Sequence, residues 1–174
     1  MEFKLEEALS VLERTPETLA ALLAGLPDDW VASGGDSAHW SPYDVVGHFI
    51  HGERTDWIPR AKIILSARAS REFEPFDRFA QFEASQGASL ADLLDTFARL
   101  RKENLQALRA LDLGPADYER TAVHPELGVV TLRQLLATWI VHDLNHIGQI
   151  VQALAGRYAG EVGPWREYLG ILEI

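Results

Sequence analysis

The chain has 174 residues, 47% apolar and 24% charged, with a net charge of −10 and no cysteine. That length and balance suit one soluble globular domain, 1–174, with enough chain to bury a core unaided. They exclude disulfides, thiolate metal sites and a cysteine nucleophile, and they disfavour a nucleic-acid partner. The densest basic group, Arg68, Arg71 and Arg78, is interrupted by Glu72, Glu74 and Asp77. No apolar run approaches the roughly 20 residues that span a bilayer. The N-terminal stretch is acidic rather than basic and apolar, so no signal peptide is read and a cytoplasmic location is expected.

The first amphipathic stretch, 4–14, places Leu5, Ala8, Leu9 and Leu12 on one stripe. Thr15-Pro16 reads as a cap followed by proline in the first turn, so the first helix is expected to break or kink there and continue to Leu26. Gly34-Gly35 marks a loop. Ser41-Pro42-Tyr43-Asp44 is a capping box opening a second helix, expected to reach about Trp57 and stop before Pro59. Residues 60–87 are mixed and aromatic, and we expect a long, partly helical connection covering one end of a bundle. Ser89 to Asp92 repeats the capping box and opens a third helix to Leu111. His124 to Gly128 reads as a turn, with a short extension over Val129 to Thr131. Thr131 to Gln134 is a third capping box, opening a last helix to about Ala155, and Gly163-Pro164-Trp165 starts a terminal turn. Four long helical segments without convincing strand pairs imply an all-α four-helix bundle.

The last helix carries His142-Asp143-Leu144-Asn145-His146. Imidazoles four residues apart share a helical face and can hold one ion. Here they fall at the edge of a buried stripe through Leu132, Leu136, Trp139, Ile147 and Ile150, where unpaired imidazoles would be costly. On the second helix His48 lies on the inward side with Val45, Gly52 and Thr55 and supplies a third ligand, and the small Gly52 and Thr55 are expected to leave room beside it. A lone inward histidine is more often a hydrogen-bonded core residue. The pair on the facing helix is what favours metal. His51, about 60° away around the helix, is a substitute ligand or a residue behind the ligands. Glu53, Arg54 and Asp56 read first as surface charges, although Glu53 and His124 are the candidates for a general base. Asp143 falls near the middle of the apolar stripe and needs a partner. It either orients an imidazole or holds a structural Arg, Trp or Tyr.

These stretches resemble the DinB-like superfamily, in its DinB-2 branch of metal-dependent small bundles. The matching segments are WSPYDVVGHFIHGERTDWIPRA (40–61), HPELGVVTLRQLLATWIVHDLNHIGQI (124–150) and GPWREYL (163–169). The resemblance implies a four-helix bundle, often a homodimer, with His48, His142 and His146 on a divalent ion and Gln149 beside them. It implies zinc or nickel, with iron, manganese or cobalt as alternatives. Characterised branches include thiol-dependent S-transferases and a thiol-dependent isomerase.

Three neutral histidines leave an ion its full charge and an open position for a small molecule. The absence of cysteine suits a low-molecular-weight thiol cosubstrate that attacks a small electrophile. The alternatives are hydrolysis of a small amide or ester, and a non-catalytic metal-binding bundle.

Overall fold

The computed structural model describes residues 3–31 and 40–173; the loop expected at Gly34-Gly35 lies outside them. The described helices are α1 (Leu5–Leu12), α2 (Thr15–Leu23), α3 (Asp28–Val31), α4 (Pro42–Thr55), α5 (Trp57–Leu65), α6 (Ala80–Ala84), α7 (Leu90–Ala110) and α8 (Leu132–Gly156). They build the expected four-helix bundle. Helices α1 and α2 form its first arm and α4 and α5 its second, while α7 and α8 are the third and fourth. Ser41, Ser89 and Thr131 each make the capping box expected of them, accepting from the backbone N–H of Asp44, Asp92 and Gln134. The last two long helices begin and end within one residue of their expected bounds.

The core consists of two apolar layers. One gathers Leu9, Leu12, Trp57, Leu105, Leu108 and Trp139, among others. The other gathers Leu19, Leu23, Phe49, Leu94, Phe97 and Ile150. Along every arm the boundary between the layers holds a polar residue: Thr15, Glu53, Arg101 and Asp143, all buried. Arg101 Nε donates to Glu53 Oε1 at 2.9 Å, and its two terminal nitrogens donate to Asp143 Oδ2 at 2.6 Å and Oδ1 at 3.0 Å. Arg101 Nη1 also donates to the Leu12 carbonyl at 2.9 Å. In an unbroken helix that carbonyl would accept from the N–H four residues on, and residue 16 is proline, which has none. Arginine supplies the missing donor. Thr15 therefore does not cap α2 as expected; its hydroxyl donates instead to Asp143 Oδ2 at 2.6 Å.

Four further departures have local causes. The second arm does not end before Pro59. It breaks at Asp56 and resumes as α5, in whose first turn Pro59 removes a donor that has no intrahelical partner anyway. Thr55 is exposed, its hydroxyl bonded back to the His51 carbonyl, so it leaves no space beside His48. The room at Gly52 is taken by the Trp57 indole, which a Cβ there would meet at 3.4 Å. Finally, residues 121–131 form a hairpin, β1 (Thr121–His124) with β2 (Gly128–Thr131), antiparallel, pairing Thr121 with Thr131 and His124 with Gly128. A three-residue loop whose last strand starts on Gly128, at φ 73°, closes it.

The connection from 66 to 79 is irregular and is tied to this hairpin: Phe73 N–H donates to the Val123 carbonyl at 2.9 Å, and Val123 N–H to the Arg71 carbonyl at 2.8 Å. Helix α6 then packs on α4 where Gly47 allows it; a Cβ there would stand 2.5 Å from Ser85 Oγ. Among the described residues, no helix is long and apolar enough to cross a membrane.

Arg101→Ala should destabilise the protein by about 3–5 kcal/mol, because it leaves Glu53 and Asp143 buried without their counter-charge. Urea unfolding followed by circular dichroism reads this directly. A loss below about 1 kcal/mol would mean that the polar layer is not closed around Arg101.

Candidate metal centre

Helix α4 carries His48 and helix α8 carries His142 and His146, and the bundle packs α4 against α8. One ligand-type atom from each of the three histidines lies within 4.8 Å of the others, a grouping that could hold a metal ion. The Nε2 atoms of His48 and His142 are 3.0 Å apart. Nitrogens about 2.0–2.1 Å from one tetrahedral ion stand roughly 3.3 Å from each other, so the spacing fits. Of the remaining ring nitrogens, the one on His146 is partnered and those on His48 and His142 are not. His146 Nδ1 lies 2.8 Å from Gln149 Oε1, which holds the proton on that nitrogen and leaves Nε2 as the free donor. His142 Nδ1 is 4.0 Å from Asp143 Oδ1, and the Nδ1 atoms of His48 and His142 are buried without a hydrogen bond.

Aromatic rings enclose the cluster. Trp40, just before α4, stacks on His146 at 6.1 Å and lies 4.8 Å from His48. Phe49 lies under His142 and His146. Trp57 meets His142 edge-on at 5.1 Å, and Phe76 meets His48 edge-on at 5.6 Å. This dry setting penalises the charged imidazole. Burial, followed by the neighbouring His146 and His142, pulls His48 down to about 2. Burial and then His142 pull His146 down to about 4, against the opposing Gln149 contact and the Asp143 charge. Both are therefore neutral bases, the form a metal requires, across the physiological range. At Asp143, burial raises the carboxyl, but His142, Arg101 and Thr15 outweigh it and the net shift is downward. The anion stands directly behind the histidines.

The three imidazoles border a cavity of about 360 Å³ with mostly apolar walls. The hairpin and the 66–79 connection provide the side opposite the helices, through Phe73, Phe76, His124, Leu127 and Val130. Asp56 also lines the cavity, ion-paired to Arg60 Nε at 2.7 Å. Burial raises its carboxyl despite the pull of Arg60 and three histidines.

The other residues singled out from sequence fall in different places. Asp143 takes the role of holding a structural arginine, and it also backs His142. Glu53 does not border the cavity. It is buried in the polar layer, its second oxygen accepting from Asn104 Nδ2 at 2.8 Å, so it has no free lone pair aimed at a substrate. The surface reading of Glu53 and Asp56 gives way for the same reason: both face inward at the helix break. His51 packs against Phe76 at 4.8 Å and is outside the histidine grouping. His124 borders the cavity, but its Nδ1 accepts from the backbone N–H groups of Glu126 and Leu127 at 3.1 and 3.2 Å. A neutral ring so held carries its proton on Nε2, which makes it a donor rather than a base. Arg60 does not stand out in the sequence and Asp56 reads there only as a surface charge; their spacing, i to i+4 across a proline, is the available signal.

The family model of the DinB superfamily matches residues 11–150. In fold the chain is similar to YfiT from Bacillus subtilis, described as a probable metal-dependent hydrolase with an unusual four-helix bundle topology. The two are 22% identical over 89% of this chain and 87% of that one, with a TM-score of 0.73. No curated protein matches the chain.

The lowered histidines make a pH prediction for the metal-free protein. Below the ordinary value of 6.5 the unfolded chain takes up protons that folded His48 and His146 refuse until about 2 and about 4. Their contribution is thus fully present above 6.5 and is lost progressively as pH falls. Thermal melts in chelator should show the midpoint dropping from about pH 7 to about pH 5, with a shallower drop in His48→Asn. Equal slopes in the two proteins would refute this account.

Proposed function

The chain belongs to the DinB superfamily, and from that premise we propose that it is a divalent-metal-dependent enzyme acting on a small molecule, with His48, His142 and His146 as the ligands. The observation that carries the reading is the meeting of three neutral imidazoles beside an apolar cavity of about 360 Å³, a size that suits a small ligand. A closed structural ion normally takes four protein ligands, whereas three are grouped here among the described residues. An open position favours chemistry. Zinc and nickel suit the all-imidazole set, and iron, manganese and cobalt are alternatives.

The reaction we favour is transfer of a low-molecular-weight thiol to a small electrophile. When bound, the ion supplies a Lewis acid that stabilises a thiolate or deprotonated water near neutral pH. The chain does the rest. Gln149 orients His146, and the Asp143 anion behind His142 favours positive charge at the ligand end. The rings of Trp40, Trp57 and Phe76 keep water from the reacting groups. Asp56 offers a carboxylate to take up the released proton, and His124 offers an Nε2–H to the substrate. With no cysteine in the chain, no protein thiolate competes with an incoming one. Hydrolysis of a small amide or ester is the second reading. It is favoured by Asp56, which could serve an attacking water equally well, and by the description given to YfiT.

Wild-type protein purified without chelator should carry about one ion per chain, and His146→Ala should lose it while remaining helical. Elemental analysis alongside circular dichroism decides this, and full metal content in the variant would remove the ligand assignment. In cobalt-loaded protein a small thiol should produce a sulfur-to-metal charge-transfer band. A spectrum indifferent to every thiol would transfer the assignment to the hydrolase.

A further inference from the structure

The cavity carries a charge opposite to that of the chain. The protein has a net charge of −10, yet the ionised groups bordering the cavity, apart from the histidines, are Arg60, Arg78 and Asp56. Asp56 and Arg60 cancel each other at 2.7 Å. Arg60 is further occupied, lying 4.9 Å over the Phe73 ring with Nη2 donating to the Glu74 carbonyl at 3.4 Å. What remains is Arg78, which has no hydrogen-bond or ion-pair partner among the described residues.

Unpaired arginines are common on surfaces, where they reach into water. Arg78 is itself exposed, and what distinguishes it is that it also borders the cavity. Two residues before it, Phe76 is wedged against His48 and His51, and Phe76 and Arg78 both border the cavity. The adjoining Asp77 carboxylate accepts from the Phe79 backbone N–H at 2.9 Å, so the acid next to Arg78 in the chain is turned to the backbone rather than to the guanidinium. The guanidinium is thus an unneutralised cation at the rim of an aromatic cavity that the three histidines also border.

We propose that the cavity accepts a small molecule with an apolar body and a carboxylate, and that Arg78 pairs with that carboxylate and sets substrate specificity. Its planar fork of donors matches the two carboxylate oxygens. Trp40, Phe73 and Phe76 provide the surface for the apolar body. The proposal rests on the metal reading only for which end of the molecule reacts: with the carboxylate held at Arg78, the other end is left for the histidine cluster.

A matched pair of probes, phenylacetate and phenylacetamide, separates charge from shape. Titration calorimetry on metal-free and metal-loaded protein should show the anion preferred by about tenfold, with a preference that weakens as salt is raised. Arg78→Gln should bring the two probes to near parity, and Arg78→Lys should keep part of the preference. Elemental analysis should find the ion retained in Arg78→Gln, since the residue lies outside the ligand set. A preference that survives in Arg78→Gln, or no preference in the wild type, would overturn the proposal. Absence of metal from the wild type would overturn the ligand assignment instead, and the comparison on metal-free protein would still decide the role of Arg78.

Discussion

The buried guanidinium of Arg101 is the constraint on which the remaining structure rests. It lies between the two apolar layers and takes a partner from every other arm: the Leu12 carbonyl, Glu53 and Asp143. The rings of Phe97 and Trp139 lie within 4.9 and 5.2 Å of it. Such a centre is costly to desolvate, and an apolar replacement of the same shape can be equally stable. What it adds here is register. A slide of α4 along α8 by one turn would separate Glu53 or Asp143 from the single arginine they share, leaving a buried charge. That penalty fixes α4 against α8, and the same two helices carry His48 and the His142–His146 pair. The break at Pro16 belongs to this arrangement, because the carbonyl it frees is the one that Arg101 satisfies.

Adjacent residues on α8 divide the labour. Asp143 points into the polar layer and His142 toward the cavity, so one helical position secures the bundle and its neighbour equips the site. The carboxylate also makes the polar layer formally anionic, two acids against one arginine. That excess sits behind imidazoles that burial has made neutral, and it is well placed to stabilise a cation in front of them. An anion behind an imidazole raises the ring's basicity and so strengthens its hold on a cation.

The helices supply the floor of the site, and the least regular parts of the chain supply its walls. The 66–79 connection is held by two backbone hydrogen bonds to the hairpin and by Phe76 against the histidines. Apart from Phe73 and Ala122, which belong to the core, such a wall can change without disturbing the bundle. The lining of the cavity is accordingly more open to variation than the histidine cluster on the helices. Between this chain and a structure sharing 22% of its sequence, it is the bundle fold that persists.

Local chemistry made much of this legible from sequence. A capping box is closed by residues three apart, so Ser41, Ser89 and Thr131 announced three helix starts that the structure keeps. The i, i+4 spacing of His142 and His146 is a property of one helix, and the inward phase of His48 follows from its own apolar neighbours. The apolar period that marked Asp143 as buried would equally have marked Arg101, between Phe97 and Leu105 on the stripe of α7. Tertiary structure decided what depends on partners distant in the chain. Thr15 abandoned a cap for Asp143, 128 residues away, because a buried carboxylate binds a hydroxyl more strongly than a solvated helix end does. Glu53 became a structural anion and Asp56 a cavity carboxylate through the placement of Arg101 and Arg60. Short strands at 121–131 carry too weak a local signal to stand out, and their pairing with each other and with 71–73 is what turned a turn and a connection into the wall of a site.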